Sequence, residues 1–446
     1  LIKMFKNRWY SLGNMDKNKT INVGLIGCGV VGSGVVAMFS QNKHAGISLK
    51  IVAERNPEKA KKLGFSNVTK DANDVINDTE IDIVIELIGG YEPAKDYIIN
   101  AIKNKKHVVT ANKAVISEYG DEIFKLAEEN KVNVGFEASV AGGIPIINPL
   151  LDQLSLGKIT SIAGILNGTT NFILTRMAEG MKYEDALRIA QEKGFAESDP
   201  SFDVEGKDAA QKIAILASLA FGRWIKPKEV YCEGISEIKP VDIEYGRELG
   251  YVIKLLAIAQ RTENGEIDVR VHPALVRKDH RLAMVNEEFN AIHIKGSPFD
   301  EYFNVGKGAG QGPTAFSVYY DIVKIAEMIK SGTARHVKTN SNNIRIADQN
   351  KVVTEGYLRL YLRHVPGSLY RIAGVLFKHG WNVKDSIAHG GPNNEIMVEG
   401  VKCLPDIITH EPLSFGVIKD TIPDLISLKT EKGSPVHGKP FYMRIL

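Results

Sequence analysis

The stretch INVGLIGCGVVGSGVVAMF, residues 21–39, constrains this chain more than any other. An apolar run from Ile21 to Ile26 stops at Gly27, and Gly29 and Gly32 complete the spacing G-x-G-x-x-G before a helical pattern begins. Gly27 permits the tight turn, Gly29 lets the backbone approach a pyrophosphate, and Gly32 allows close helix–strand packing. The first helical turn, with Val30 and Val31, offers N–H groups and the positive end of the helix dipole to phosphates. A dinucleotide-binding strand–turn–helix of this kind requires further parallel strands beside it.

Those strands follow. LKIVAERN supplies a second strand that ends in Glu54-Arg55. An acid at this point holds a ribose 2′-hydroxyl, and a nearby arginine holds a 2′-phosphate. Arg55 and its lysine neighbours favour NADP, with NAD as the alternative; a solvated loop arginine is the competing reading. IDIVIELIGG (81–90), HVVTANKAVI (107–116) and KVNVGFEASVAGGIPII (131–147) read as three more strands, the last running into a glycine-rich loop. Helical patterns fill the gaps, so residues 21–148 are expected to form a Rossmann-type, doubly wound parallel sheet. Ligands collect at the carboxyl ends of such strands, where Gly89, Thr110, Lys113 and the Ala141–Gly143 loop fall.

The pattern changes at 149. ITSIAGILNGTTNFIL reads as a strand leading into a polar turn, Asn167 to Thr170. Helices and alternating stretches at 234–239 and 266–276 then suggest a mixed α/β domain over 149–305. GKGAGQGPTAFSVYYDIVKIAEMI (306–329) is a glycine-rich loop containing Gly310 that feeds a long amphipathic helix, expected to return to the first domain. Residues 331–350 look like a polar linker. Beyond them, strand, Pro-Gly turn, helix, Gly turn and strand make half of a ferredoxin-like unit, giving a C-terminal domain over 351–446.

The bulk numbers exclude several function classes. Fifty-six basic and 53 acidic residues leave a net charge of +3, with no basic run to attract nucleic acid. Cys28, Cys232 and Cys403 are far apart and lack metal-ligand spacing, which fits a reducing compartment such as the cytoplasm. No apolar run reaches the roughly 18 residues a membrane helix needs. The first twenty residues lack the continuous apolar core of a signal peptide and read as a disordered lead-in.

The chemistry concentrates in EGKDAAQKIAILASLAFG, residues 205–222. At about 100° per residue, Lys212 falls within about 40° of Leu216, Leu219 and Asp208, while Lys207, Gln211 and Ser218 form a separate polar, solvent-facing stripe. Lys212 and Asp208 therefore lean towards the apolar side, where neither is stable without a partner. An i, i+4 ion pair on a half-exposed helix is the bland alternative. Just upstream, GFAESDPSFDVEG places Glu197, Asp199, Asp203 and Glu205 within nine residues. Such a cluster is usually a solvated loop; next to Lys212 it can instead hold an ammonium group.

GILNGTTNFIL, GFAESDPSFDVEGKDAAQK and TANKA, with the glycine loop, ELIGG and GAGQGPTA in the same order, resemble the motifs of homoserine dehydrogenases over residues 21–330. The C-terminal stretch resembles an ACT domain, a small amino-acid-sensing module. The resemblance implies NAD(P)-dependent interconversion of L-homoserine and L-aspartate 4-semialdehyde, on the way to threonine and methionine. It implies Lys212 as the general acid/base, positioned by Asp208, with Lys113 a second candidate for proton handling beside the nicotinamide. It implies Glu197, Asp203 and Asp208 as substrate carboxylates, with Gly194, Gly168 and Thr169 lining the pocket. Phe195 stands where relatives often have Tyr. Gly27, Gly29, Val30, Val31, Gly32, Arg55, Gly89, Thr110, Lys113 and Gly310 are implied as the cofactor's contacts. A monovalent cation, sodium in many relatives, is implied near Glu137, Val140, Gly142 and Ile144, where loop carbonyls are suitably hard ligands. Threonine is implied as an effector, and a homo-oligomer, dimer or tetramer, as the assembly.

Two rival readings fail on particular residues. A semialdehyde dehydrogenase acting on the phosphorylated neighbour needs a thiolate nucleophile; Cys28 lies in the dinucleotide loop and Cys232 has no adjacent His. A non-catalytic nucleotide sensor has no use for Lys113, Asp208 and Lys212 together.

Overall fold

The computed structural model describes residues 19–41, 46–337, 344–363, 365–389, 395–430 and 433–446. Most of the expected N-terminal lead-in and the centre of the expected linker lie outside the described residues.

Six strands form the first sheet: β1 (Ile21–Ile26), β2 (Ile47–Ala53), β3 (Val68–Thr69), β4 (Ile83–Glu86), β5 (His107–Thr110) and β6 (Val134–Gly135). All pair in parallel, in the order β3-β2-β1-β4-β5-β6. Their apolar runs are covered on both faces, as a parallel sheet requires. Helices α1 (Val30–Gln41), α2 (Ala94–Lys103) and α3 (Lys113–Asn130) cross between them. The strand expected over 107–116 ends at Thr110: Asn112 caps α3 through a Val115 N–H (3.2 Å), so Lys113 opens that helix. The short β3 edge strand carries too little pattern to be seen in the sequence.

The second layer is an eleven-stranded sheet. Its catalytic part comprises β7 (Lys158–Ile165), β8 (Tyr231–Cys232), β9 (Tyr251–Arg261), β10 (Ile267–Arg277), β11 (Phe289–Ser297) and β12 (Asp300–Lys307). Helices α4 (Gly168–Ala178), α5 (Lys207–Phe221) and α6 (Pro240–Glu248) accompany it. The alternation at 234–239 is not a strand. Ile235 and Ile238 are buried within a turn, the Ile238 N–H returns to the Ile235 carbonyl (3.1 Å), and Pro240 opens α6. Helix α7 (Gln311–Ser331) returns to the first sheet, where Ala315, Val318 and Ile322 share a core with Val35 and Val36.

The C-terminal unit contains β13 (Val353–Leu362), α8 (Ser368–Lys378), β14 (Val383–Ile387), β15 (Ile396–Val398), β16 (Val401–Ser414), α9 (Phe415–Ile426) and β17 (Val436–Ile445). The order β17-β13-β16-β14, with a helix after the first and third of the main strands, is a βαββαβ arrangement of ferredoxin type. It has its own core around Leu358, Ile372, Trp381 and Ile418. Its sheet also continues into the catalytic one, because β17 pairs in parallel with β10.

Helix α5 lies at the centre. Every residue from Asp208 to Ser218 is buried, so the polar stripe expected to face solvent does not. Only Lys207 is exposed. Gln211 donates to the Tyr91 hydroxyl (3.1 Å), and Ser218 accepts the Ile225 N–H (2.8 Å). The helix is enclosed by α3 on one side and by β9 and β10 on the other.

Candidate active site

A cavity of about 600 Å³ opens between the loops after β5 and β6, the amino end of α4 and the start of α7. Lys113, Asp203, Asp208 and Lys212 all line it, Lys113 arriving from a stretch some ninety residues before the other three.

Lys212 and Asp208 are 9 % and 5 % exposed. The Lys212 ammonium donates to Asp208 Oδ2 and to the Leu166 carbonyl, each at 2.7 Å. An ammonium has three protons, so one remains for whatever enters the cavity. Asp208 Oδ1 lies 3.3 Å from Lys113 Nζ. Asn167 joins the carboxylates: it caps α4 by accepting the Thr170 N–H (2.8 Å), and its amide donates to Asp203 (2.7 Å) and Asp208 (2.9 Å). Burial alone would raise the Asp208 carboxyl, but the neighbouring Lys212 and Lys113 ammonium groups and the Asn167 amide bring it down to about 2. Asp203 moves the other way, raised by burial and by the charge of Asp208. The floor of the cavity therefore alternates fixed positive and negative charge in a partly desolvated space.

Gly168, Thr169, Gly194 and Phe195 also line the cavity, and the Thr169 hydroxyl donates to the Phe195 carbonyl (2.6 Å). Gly168 has no room for a side chain: a Cβ there would lie 2.6 Å from the Glu288 carbonyl oxygen. Of the upstream acidic cluster only Asp203 lines the cavity; Glu197, like Asp199 and Glu205, is exposed and outside the lining.

On the dinucleotide side, Gly27 has φ +96° and a Cβ on Gly32 would come within 2.1 Å of the Gly27 oxygen, whereas Gly29 faces open space. These are the turn, the close packing and the open approach that a pyrophosphate needs, and α1 has no acid in its first turn. The chain thus fits a dinucleotide. Val30 is exposed beside the loop, while Val31 and Gly310 line the cavity. Glu54 folds back onto the loop, accepting the Cys28 N–H (2.7 Å) and the Asn56 N–H (3.0 Å), and leaves Arg55 exposed at the strand end. Gly89 is exposed and Thr110 is buried, both outside the lining. Thr110 bonds Glu86 (2.7 Å) and receives the Asn112 N–H (2.9 Å).

The glycine-rich loop after β6 also has a defined shape. Both carboxylate oxygens of Glu137 are occupied, Oε1 by the Ile146 and Ile147 N–H groups and Oε2 by the Asn148 N–H. The Gly142 carbonyl accepts the Ser317 hydroxyl (2.7 Å). Among the described residues, the carbonyls of Val140 and Ile144 accept no hydrogen bond. Two hard oxygens are therefore available, which suits a cation held by backbone and not by carboxylates. No group of three His, Cys, Asp or Glu among the described residues is arranged to hold a metal ion.

Sequence reasoning missed Asn167, Lys193, Glu288 and Lys307, all of which line the cavity. Asn167 had a signal, an N-cap residue ahead of an apolar helical run. Glu288 and Lys307 approach each other at 3.5 Å at the open end of the β11–β12 hairpin, and only the pairing of those two strands brings them there.

Comparison with known proteins places this geometry. A family model described as "Homoserine dehydrogenase, NAD binding domain" matches residues 27–137, and one described as "Homoserine dehydrogenase" matches 145–323. The homoserine dehydrogenase of Synechocystis sp. is 42% identical over 388 residues, 83% of this chain and 90% of that protein. The Bacillus subtilis homoserine dehydrogenase is 41% identical over 373 residues, covering 81% and 86%. A crystal structure of a homoserine dehydrogenase from Thiobacillus denitrificans superposes with a TM-score of 0.87 at 37% identity, over 96% of this chain and 98% of that one. No helix among the described residues is long and apolar enough to cross a membrane.

Proposed function

This chain belongs to the homoserine dehydrogenase family, and on that premise we propose how its own residues carry the NAD(P)-dependent oxidoreduction of homoserine. The observation that supports the assignment most is the buried Lys212 ammonium, held on Asp208 and the Leu166 carbonyl at the cavity wall with one proton left over. A bound nicotinamide supplies or accepts the hydride. Lys212 gives a proton to the aldehyde oxygen of L-aspartate 4-semialdehyde during reduction and takes it back from the homoserine hydroxyl during oxidation. Asp208 orients Lys212 and Lys113 together, and Lys113 assists at the same oxygen. Asp203 receives the substrate's α-ammonium, with Glu197 joining from the segment that follows Gly194. Gly168, Thr169 and Gly194 shape the pocket.

Gly27, Gly29, Val30, Val31 and Gly32 receive the pyrophosphate, with Gly89, Thr110 and Gly310 towards the nicotinamide end. NADP is the preferred dinucleotide, because the exposed Arg55 is available to a 2′-phosphate while Glu54 is engaged with the loop. A monovalent cation, sodium in this reading, would be held near Glu137, Val140, Gly142 and Ile144, with the loop carbonyls as its hard ligands. Residues 21–148 with 306–330 form the dinucleotide domain and 149–305 the substrate and dimerisation domain. Residues 351–446 form an ACT-type sensor for threonine, in a cytoplasmic dimer or tetramer serving threonine and methionine synthesis.

The test is a steady-state assay of reduced-nicotinamide oxidation on adding aspartate semialdehyde, run with NADPH and NADH and with Lys212→Ala. Faster turnover with NADPH, inhibition by millimolar threonine and loss of activity in the variant are expected. A folded Lys212→Ala enzyme with near-normal turnover makes the lysine structural and ends the assignment.

A further inference from the structure

The C-terminal strand β17 lies at the seam between the two parts of the second sheet. Arg444 aligns with Ala274 of β10 on one side and Gly356 of β13 on the other. The arginine is 2 % exposed, with its guanidinium over the rings of Tyr231 (5.1 Å) and Phe415 (4.3 Å). Its ion-pair partner is Glu233, at 3.0 Å, which also accepts the Tyr231 hydroxyl.

Glu233 and the residues beside it are tied in turn to β10 and to the segment that leads into α5. The Glu233 N–H bonds the Val271 carbonyl (2.8 Å), and the Ile235 N–H bonds the Val204 carbonyl (2.8 Å). Between them, Gly234 presses so closely that a Cβ would lie 2.3 Å from the Val204 oxygen. Cys232 Sγ donates to the Glu205 carbonyl (3.2 Å) and limits the space at Gly206, which caps α5 at φ +83°. Val204 follows Asp203, and Gly206 stands two residues before Asp208. Residues 231–235 therefore connect an arginine of the C-terminal unit to the backbone that aims both cavity carboxylates. The contacts are close-packed backbone and glycine, which transmit small displacements because there is no slack to absorb them.

We propose that the Arg444–Glu233 pair is a positioning clasp, through which the C-terminal unit sets the placement of Asp203 and Asp208 in the active site. This rests on the reading of Lys212 and Asp208 as the reacting pair. Neither Arg444 nor Glu233 lines the cavity, so the clasp acts through the 231–235 segment and the start of α5. Any ligand or partner that shifts β17 against β10 then alters turnover without reaching the substrate.

The experiment uses the full-length enzyme with Glu233→Gln, Arg444→Met and the double variant. Arg444→Met keeps an apolar stem between the two rings; Glu233→Gln is isosteric and its side chain is a third exposed. The kcat/KM for aspartate semialdehyde is expected to fall about three- to tenfold, while the KM for the dinucleotide stays within about twofold of the parent. The double variant should lose no more than the worse single one, because both break the same link. Folded Glu233→Gln enzyme with an unchanged kcat/KM for the semialdehyde overturns the clasp, and this variant decides alone if Arg444→Met does not fold. Equal losses towards both substrates also overturn it, since that is what general loosening produces. Lys212→Ala in the same series separates the two ideas: an active Lys212→Ala enzyme sinks the underlying reading, whereas an inactive one beside a normal Glu233→Gln sinks only the clasp.

Discussion

Replacing Asp208 by Asn changes almost nothing in shape and removes one charge from between two ammonium groups. Asp208 receives Lys212 at 2.7 Å and Asn167 at 2.9 Å, with Lys113 at 3.3 Å. These groups hold the carboxyl at about 2, against an ordinary 3.8, even though burial works in the opposite direction. At about 1.4 kcal/mol per pKa unit, the charged form gains about 2.5 kcal/mol. Removing one member of a buried ion pair generally costs about 3–5 kcal/mol, so the two routes agree within a factor of two. The sign follows from linkage: a depressed carboxyl contributes stability that is fully present above 3.8 and fades as pH falls towards 2. The deficit of Asp208→Asn should therefore be constant between about pH 5 and 8. Urea melts at three pH values across that range, followed by circular dichroism, read it directly. Turnover should fall at least about a hundredfold, because Lys212 keeps its proton-transfer role only while it is aimed. A variant that melts with the parent at all three pH values, or turns over normally, refutes the view that this carboxylate clamps the two lysines.

The glycine loop gives a paired prediction. Gly32→Ala forces a Cβ to within 2.1 Å of the Gly27 oxygen and should lower both stability and dinucleotide affinity, whereas Gly29→Ala meets nothing within 4 Å and should fold normally while binding dinucleotide more weakly; thermal melts with fluorescence titration separate the two. Lys254, buried and bonded to Asn171, Asn286 and the Val285 carbonyl with no acid among those partners, is pushed down to about 8 by burial. The penalty of carrying its charge is full below about pH 8 and is relieved as pH rises towards 10.5, so relative to Lys254→Met the parent should gain on the order of 1–3 kcal/mol between pH 8 and 10 in urea melts. A pH-independent difference would show that the lysine stays charged by other means.

Much of this was legible beforehand because local rules dominate there. The glycine spacing, the strands flanking it and the inward lean of Asp208 and Lys212 follow from chain stiffness and periodicity, and these act over a few residues. The error at 234–239 has the same origin: six residues with two isoleucines carry too little periodicity to separate a strand from a turn, and both isoleucines are buried where Gly234 packs against Val204. The enclosure of α5 was invisible for a different reason. Gln211 and Ser218 look wet in the sequence and are dry in the fold, because Tyr91 and the Ile225 N–H arrive from elsewhere. Glu288 and Lys307 reach the cavity in the same way, from the open end of the β11–β12 hairpin, whose position depends on its pairing with β7. Asn167 lies between these cases: its capping role could be read locally, while its grip on Asp203 and Asp208 could not.

The parallel pairing of β17 with β10 has a practical corollary. Cutting the chain in the segment before β13 would not release a bead from a string; it would strip the hydrogen-bonding rim of β10 at Ala274 and Leu275 and leave buried Asp242 without Arg359. A bare rim of that kind recruits other molecules, and shortened forms of this protein should clump in proportion to concentration. Lost activity in such a fragment would then report insolubility and say nothing about effector control.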